Sequence, residues 1–309
     1  MGPVQTGAQI GPGCRGYDLG VGTGEGNGLG RVVLTGATRG VGLETARQLA
    51  ALGYDLVLPV RDAERGAAAR ELIRSDTVGA LVDVLPIDLT SLASVREFAA
   101  GYAARFGSWT ALVNNAGAIL VPQRTLTIDG FETHLAVNHL APFALTGLML
   151  PFAAPGARVV TVSSLAARWG RIQFHDLRWD HGYSPFRAYA ASKRAGLLFA
   201  RRLHAKSLDE GLPITSIATH PGYSVSAERL RSPRTFYERI IGQGYAEGAA
   251  ANVRAVTDAT LSGGEFVGPG NLLQTAGAAK VVGPPPLRDE HEVSGRLWRL
   301  SGQLTRIPW

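Results

Sequence analysis

From Arg31 onward, short apolar runs alternate with longer stretches in which apolar or small residues recur at helical spacing. The runs at 32–35, 56–60, 81–87, 111–114, 158–162 and 214–219 have the length of strands and are apolar on both faces, as strands covered on both sides are. Between them Gly42, Ala46, Leu49, Ala50 and Gly53 mark one helical face, and further helical stretches run over 92–106, 131–152 and 186–208. Strand, helix, strand, repeated, predicts crossover units. The fold class expected is therefore α/β: one domain, a doubly wound (Rossmann) parallel sheet with helices on both faces. No internal repeat appears, and no linker interrupts the stretch from Arg31 to about Gly263.

Residues 1–30 break this pattern. They are Gly-rich with few large apolar side chains, so they cannot bury enough surface to offset the entropy of ordering. A flexible extension is expected there, ahead of a domain spanning 31–309. The glycines between 20 and 30 follow no strand, so they do not read as a nucleotide loop.

Composition narrows the partners. Hydrophobic residues make up 45% of the chain and charged ones 18%, an ordinary globular balance. The single cysteine, Cys14, excludes a disulfide framework and a Cys-rich metal site, which suits a cytoplasmic protein. None of the seven histidines stands in an H-E-x-x-H spacing, so no metal is expected. The net charge of +6 favours anions, but the arginines are scattered and form no basic run with interleaved aromatics; nucleic acid is not an expected partner. The most apolar stretch, 140–154, is short for a bilayer and holds Pro142 and Pro151, so no membrane span is expected, nor does the N-terminus read as a secretory signal.

The chemistry begins where the first strand runs into Thr35-Gly36-Ala37-Thr38-Arg39-Gly40-Val41-Gly42 and a helix follows. Glycines let the backbone turn sharply and approach a pyrophosphate, and the helix start offers unpaired N–H groups at a positive dipole end. A dinucleotide site is expected, with Gly36, Thr38, Arg39, Gly40, Val41 and Gly42 in contact. The second strand is followed by Arg61 rather than by the acidic residue that accepts from an NAD ribose. Arg39 and Arg61 could hold a 2′-phosphate through paired hydrogen bonds, which favours NADP(H); their alternative role is that of solvated surface arginines. Asp62 is expected to cap the following helix.

Tyr189-Ala190-Ala191-Ser192-Lys193 lies in a helical stretch, where residues four apart share a face. Tyr189 and Lys193 would then project into one cleft, and a neighbouring ammonium favours the phenolate of a tyrosine whose free pKa is about 10. Ser163-Ser164 end the fifth strand, at the sheet edge where ligands of parallel sheets bind. Pro142 has no N–H for the carbonyl of Asn138, which leaves that carbonyl open to a water beside Lys193; an ordinary proline kink is the alternative.

Taken in order, the TGxxxGxG loop, Asn114-Asn115-Ala116-Gly117, the serine pair and Y-x-x-x-K resemble the short-chain dehydrogenase/reductase family. The segment Phe174-His175-Asp176-Leu177, the Gly283-Pro284 pair and Arg296-Leu297-Trp298 resemble its retinol-dehydrogenase-like branch. The resemblance implies a catalytic tetrad of Asn138, Ser164, Tyr189 and Lys193, with Ser163 the alternative to Ser164. It implies cofactor contacts at Asp88, Leu89, Asn115, Ala116, Gly117, Tyr189 and Lys193. His220-Pro221-Gly222-Tyr223-Ser224-Val225-Ser226 resembles the family's PGxxxT element, which adds Pro221, Gly222, Ser224 and Ser226 to the cofactor set. Ser226 stands where the family has Thr and keeps the hydroxyl, while Ala141-Pro142 replaces the branch's frequent Gly-His. His220 reads as structural.

The activity implied is NADP(H)-dependent interconversion of a carbonyl and an alcohol on a lipophilic small molecule. Residues 223–248, mixing Leu230, Phe236, Tyr237 and Ile240 with Arg229, Arg231, Arg234 and Arg239, would cover the substrate. A catalytically silent NADP(H)-binding sensor is the alternative function. A homo-oligomer is compatible with either.

Overall fold

In the computed structural model, which describes residues 28–231, 241–286 and 290–309, the six apolar runs become parallel strands. They are β1 (Arg31–Leu34), β2 (Asp55–Val60), β3 (Val82–Pro86), β4 (Trp109–Asn114), β5 (Ala153–Val162) and β6 (Ile214–Thr219). Two further strands, β9 (Phe266–Pro269) and β10 (Ala279–Val281), extend the sheet to the order β10-β9-β6-β5-β4-β1-β2-β3. β9 joins β6 in parallel, and β10 returns antiparallel to β9. The sheet is therefore doubly wound and mostly parallel, not wholly so. An antiparallel edge strand of three residues, half exposed and carrying Lys280, blunts the sheet edge.

Helices α1 (Gly40–Ala51), α2 (Ala63–Asp76) and α7 (Tyr245–Thr257) cover one face; α3 (Leu92–Arg105), α4 (Thr133–Phe152) and α5 (Pro185–Glu210) cover the other. Alternation along β1 shows how. Val33 joins Phe98, Tyr102, Phe143 and Phe199 on one side, while Val32 and Leu34 join Ala46, Leu49, Ile73 and Ala251 on the other. Every residue of β2 is buried. Each such aliphatic or aromatic side chain contributes about 1.5–3 kcal/mol of burial. A short parallel pair, β7 (Ser224–Val225) with β8 (Gln243–Gly244), and helix α6 (Ala227–Arg231) lie beyond β6. The last helix, α8 (Glu290–Thr305), lays Leu297 against Ala195 and Leu198 of α5 and stacks Trp298 on Phe199.

Helix α4 fills the helical stretch expected over 131–152. It runs for 20 residues with a mean hydropathy of 1.4, so length and composition alone would let it cross a bilayer. Of its most apolar 18-residue window, 67% is buried within the fold, where it forms the core helix of the second face. Its prolines are absorbed by changes of pitch. Over Ala136–Leu140 the helix widens to a π-turn, with the N–H of Ala141 reaching back to the carbonyl of Ala136, and Leu150–Phe152 closes as a 3₁₀ turn. Pro142 cannot donate to Asn138, and widening is one way a helix accommodates the missing bond.

The expected extension falls mostly on residues outside the described ones; Gly28, Leu29 and Gly30 lead directly into β1. The sheet order reverses between β1 and β4, so the loops after these two strands open a crevice at the carboxyl edge.

Candidate active site

The crevice is built by mutual bracing of two loops. Thr35 Oγ1 accepts from the backbone N–H groups of Asn115 (3.1 Å) and Ala116 (3.0 Å) and donates to Val113 O (3.3 Å). Asn115 Nδ2 donates back to Thr35 O (2.9 Å) and Gly36 O (3.2 Å). Asn115 and Ala116 therefore hold the glycine loop in shape. Gly36 has φ +70, and a Cβ there would lie 2.7 Å from Ala116 Cα; a Cβ on Gly42 would lie 2.1 Å from Gly36 O. Gly40, at φ +59, has only the Tyr245 ring nearby, 3.8 Å from a Cβ.

Helix α1 starts from this loop with its N–H groups uncapped: Arg39 makes no side-chain cap and the first turn holds no acidic residue. Such a terminus attracts an anion. Thr38 and Val41 are half-buried beside it, and Arg39 and Arg61 are exposed. Neither guanidinium has a hydrogen bond or ion pair among the described residues. Asp62 does cap α2, accepting from Arg65 N at 3.1 Å. Asp88 follows β3 and spends Oδ1 on Thr90 N (2.9 Å) and Oγ1 (2.7 Å), while Leu89 packs at the margin of the core.

The serine pair divides cleanly. Ser163 is buried and donates to Lys193 O at 2.8 Å, a structural bond. Ser164 is half-buried at the end of β5, accepts from Ala166 N at 3.2 Å, and lies close enough to Tyr189 to pull that phenol's pKa down. Tyr189 and Lys193 project together from α5, with Nζ 6.0 Å from the Tyr189 ring centre. Lys193 is buried, donates to Val162 O at 2.9 Å, and burial lowers its pKa to about 8. Burial pushes the Tyr189 phenol up, against the opposing pull of the Ser164 hydrogen bond.

Asn138 lies in the π-turn with its side chain fully engaged. Oδ1 accepts from Ala118 N (2.7 Å), and Nδ2 donates to Ala118 O (2.9 Å) and Ser192 Oγ (2.8 Å). A Cβ on Gly117 would sit 3.2 Å from Asn138 Oδ1 and 3.3 Å from Lys193 Nζ, so the loop passes close against both side chains. Asn138, Ser164, Tyr189 and Lys193 thus converge at one place.

On the far side of the crevice, Pro221 O accepts from Ser224 Oγ (2.6 Å) and Gln243 Nε2 (2.9 Å). Gly222, at φ +65, lets the backbone pass Thr275 O, 2.3 Å from where a Cβ would lie. Ser226 Oγ accepts from Arg229 N at 3.3 Å and so caps α6. His220 is structural: it is buried, stacks on Phe266, and desolvation lowers its pKa to about 4. In the expected cover, Leu230 is half-buried and Arg229 exposed. Phe236, Tyr237, Ile240, Arg234 and Arg239, with the Arg231 side chain, lie outside the described residues.

Two residues absent from the sequence reading join the site from the start of α4. Glu132 is buried and caps the helix through Leu135 N (2.9 Å), and His134 bonds Glu132 at 2.7 Å with its ring edge toward Tyr189. A polar residue ahead of an apolar helix reads as a cap in any sequence, and nothing there signals its burial. Ser192 was also passed over; it accepts from Asn138 and donates to Tyr189 O (2.7 Å), linking α4 to α5.

Known proteins resemble this chain in sequence and fold. Residues 30–232 match the family described as short chain dehydrogenase. Retinol dehydrogenase 12 of Bos taurus is 47% identical over 194 residues, 62% of this chain and 60% of that protein. Polyprenol dehydrogenase of Mus musculus is 40% identical over 289 residues, 89% of this chain and 84% of that protein. The chain thus spans three fifths of the first relative's length and more of the second's. Among solved structures, an uncharacterized protein from Mycobacterium paratuberculosis shares 37% identity with a TM-score of 0.76, covering 94% of this chain and 98% of that one. A short chain dehydrogenase from Burkholderia cenocepacia, at 23% identity and a TM-score of 0.62 over 78% of this chain and 96% of that one, shares the fold.

Proposed function

The chain belongs to the short-chain dehydrogenase/reductase family, in its retinol-dehydrogenase-like branch, and from that premise we propose that it is an NADP(H)-dependent oxidoreductase interconverting a carbonyl and an alcohol, with Tyr189 as acid and base. The observation that carries this reading is the convergence of Asn138, Ser164, Tyr189 and a buried Lys193 at the carboxyl edge of the sheet.

The crevice fits a dinucleotide. Its α1 terminus has open N–H groups, its loop is kept narrow at Gly36 and Gly42, and Arg39 at the start of α1 and Arg61 after β2 are unpaired among the described residues. Gly36, Thr38, Gly40, Val41 and Gly42 would hold the pyrophosphate, and Arg39 with Arg61 a 2′-phosphate. Asp88, Leu89, Asn115, Ala116 and Gly117 would line the adenosine side, and Pro221, Gly222, Ser224 and Ser226 the nicotinamide side. When bound, the nicotinamide gives or takes the hydride. The phosphate preference rests on charge: no acidic residue ends β2, and Asp62 is spent on its helix.

The chain's own work is proton handling and orientation. In reduction Tyr189 Oη gives its proton to the carbonyl oxygen while Ser164 Oγ holds that oxygen; in oxidation the phenolate takes the proton back. Burial favours the neutral phenol, which is the form reduction needs at neutral pH. Lys193 stabilises the phenolate while it keeps its charge, which it loses above about pH 8. Asn138 fixes the backbone beside Lys193, and its carbonyl is the proposed seat of a relay water.

A lipophilic substrate is supported by apolar side chains around this point. Ile119 and Leu120 follow Gly117, and the rings of Trp169 and Phe186 lie 6.1 Å apart near Ser164 and Tyr189 in sequence; all four are exposed. Relatives named for retinol and polyprenol point the same way.

The test is a fluorescence titration with NADPH and NADH side by side, followed by turnover of Tyr189→Phe. Tighter NADPH binding and a Y189F protein that binds NADPH but does not turn over are expected. Tighter NADH binding would overturn the cofactor choice. A Y189F enzyme at near-normal rates would overturn the acid–base assignment.

A further inference from the structure

The start of α4 carries a buried carboxylate and imidazole beneath the acid–base residue. Glu132 is 1% exposed and His134 0%. Both carboxylate oxygens accept: Oε1 from His134 Nδ1 at 2.7 Å and Oε2 from Leu135 N at 2.9 Å. The other ring nitrogen, Nε2, lies 3.1 Å from the N–H of Val121 and must accept. An imidazole that accepts at Nε2 carries its proton on Nδ1. The hydrogen bonds therefore specify one tautomer, and the carboxylate is what selects it.

This imidazole touches two things that matter for turnover. Its ring meets that of Tyr189 edge-on, centres 6.1 Å apart. It also holds one end of the strap 118–121. At Val121 the strap is gripped twice, its N–H by His134 and its carbonyl by Tyr183 Oη at 2.7 Å. At Ala118 Asn138 grips both backbone groups. Between the grips Leu120 has φ +48, a conformation that an L side chain rarely adopts and that persists only where the surroundings impose it. Gly117, just ahead, lies against Lys193. The strap therefore spans from the lysine to the imidazole that backs the tyrosine.

We propose that Glu132 and His134 are positioning residues of the acid–base site: the buried carboxylate fixes the imidazole proton on Nδ1, and the imidazole holds the strap 118–121 and the Tyr189 ring in register. The inference rests on the reading of Tyr189 as acid and base. It assigns the pair no proton transfer of its own.

Glutamine at 132 is the sharpest probe, because it keeps the shape and loses one acceptor. Its amide has one oxygen and one NH₂ group, and both protein partners are N–H donors. Whichever way it turns, either Leu135 N–H goes unpaired or the imidazole proton is driven to Nε2, against Val121 N–H.

The experiment measures the nitrogen-15 shifts of His134 in the full-length wild-type protein, then steady-state kinetics and NADPH affinity of E132Q, H134Q and H134L. A protonated Nδ1 with a bare Nε2 is expected. For E132Q, kcat should fall about ten- to a hundredfold, the range for a small misplacement of reacting groups, while NADPH affinity stays within about twofold, since no cofactor contact is touched. H134Q, which can still accept from Val121, should retain clearly more kcat than H134L, which cannot. A His134 protonated on Nε2 would overturn the proposal, as would E132Q turning over at the wild-type rate or H134L matching H134Q. Should E132Q fail to fold, the wild-type tautomer and the two His134 variants still decide. Y189F separates the two readings: a Y189F enzyme that turns over removes the premise, whereas an inactive Y189F beside a fully active E132Q removes only the positioning role.

Discussion

At the scale of single residues, Ser163 and Ser164 differ by one position and by everything chemical. In a strand, neighbours face opposite ways, so one hydroxyl turns inward to Lys193 O and the next meets Tyr189 at the edge. Ser164→Ala should lower kcat by about 10²–10³, the scale of one lost oxyanion donor, with the melting temperature little changed. Ser163→Ala should do the reverse, leaving turnover mostly intact and lowering stability by about 1–3 kcal/mol for an unpaired buried group. Kinetics and thermal melts on the two variants check both halves; a Ser163→Ala protein with the larger kcat defect would reverse the assignment. Arg39 and Arg61 make a matching pair of predictions. Each, changed to Ala, should weaken NADPH by about 1.5–3 kcal/mol, the worth of a charge-assisted bond, and leave NADH affinity alone. Equal losses for the two cofactors would assign these arginines to general surface charge. Much of this site was legible because its chemistry sits in spaced motifs: Tyr189, Lys193 and the glycines needed only their order and their place on elements. The serine choice was legible only as a preference, since the motif does not show which hydroxyl turns inward. Glu132 and His134 were not legible. They look like an ordinary helix cap until α5 and the strap close over them.

At the scale of elements, the glycine loop and the loop after β4 act as one part. Thr35 and Gly36 accept four hydrogen bonds from Asn115 and Ala116 across the switch point, and Gly42 lets α1 start with its backbone against Gly36. A methyl group on Gly42 would meet Gly36 O at 2.1 Å and Asn115 Nδ2 at 2.4 Å, and neither can move without opening the brace. Gly42→Ala should therefore lose about 1–3 kcal/mol of stability to overpacking and at least as much NADPH affinity, because the loop shape is the binding site. Gly101 is the control. It lies within α3, a Cβ there meets nothing within 4 Å, and Gly101→Ala should gain about 0.4–1 kcal/mol. Urea titrations of both proteins test the contrast, and a tolerated Gly42→Ala would show that the loop is not braced as described. The elements that the sequence foretold are those with long apolar runs, β1 to β6 and the helices between them. β9 and β10 stayed hidden because they are only four and three residues long, β9 ends in Gly268 and Pro269, and both lie far from any repeating pattern. Helix α4 was foretold over 131–152 in spite of its prolines. Pro142 and Pro151 argue against a continuous helix, yet a π-turn and a 3₁₀ turn carry it past both.

At the scale of the whole molecule, the C-terminal segment closes the α4–α5 face. Phe143, Phe199, Trp298 and Trp309 share one aromatic cluster, and Trp298 Nε1 donates to Trp309 O at 2.8 Å. His139 ties α4 to α8 inside this cluster, bonding Ser301 Oγ at 2.7 Å while its Nδ1 finds no partner among the described residues. Full burial against Phe143 and Phe199 lowers its pKa to about 3, and His220 across the sheet is lowered to about 4. A histidine whose pKa is depressed by folding stabilises the native state fully above its unfolded value, about 6.5. That contribution drains away as pH falls from there toward the folded value. Between pH 6.5 and 4 both histidines act together, each weakening the fold by up to about 1.4 kcal/mol per pH unit. The protein should therefore begin to lose stability on acidification well before its carboxylates titrate. His139→Gln isolates one of the two, since an amide can keep a bond to Ser301 and does not titrate. Its stability at pH 7 should be lower than that of the wild type, because the aromatic packing is poorer, but its slope from pH 6.5 to 5 should be about half as steep. Urea midpoints at four or five pH values across that window provide the measurement. Parallel curves for the two proteins would mean that His139 is not buried in its neutral form, and that α8 is docked on α4 without it.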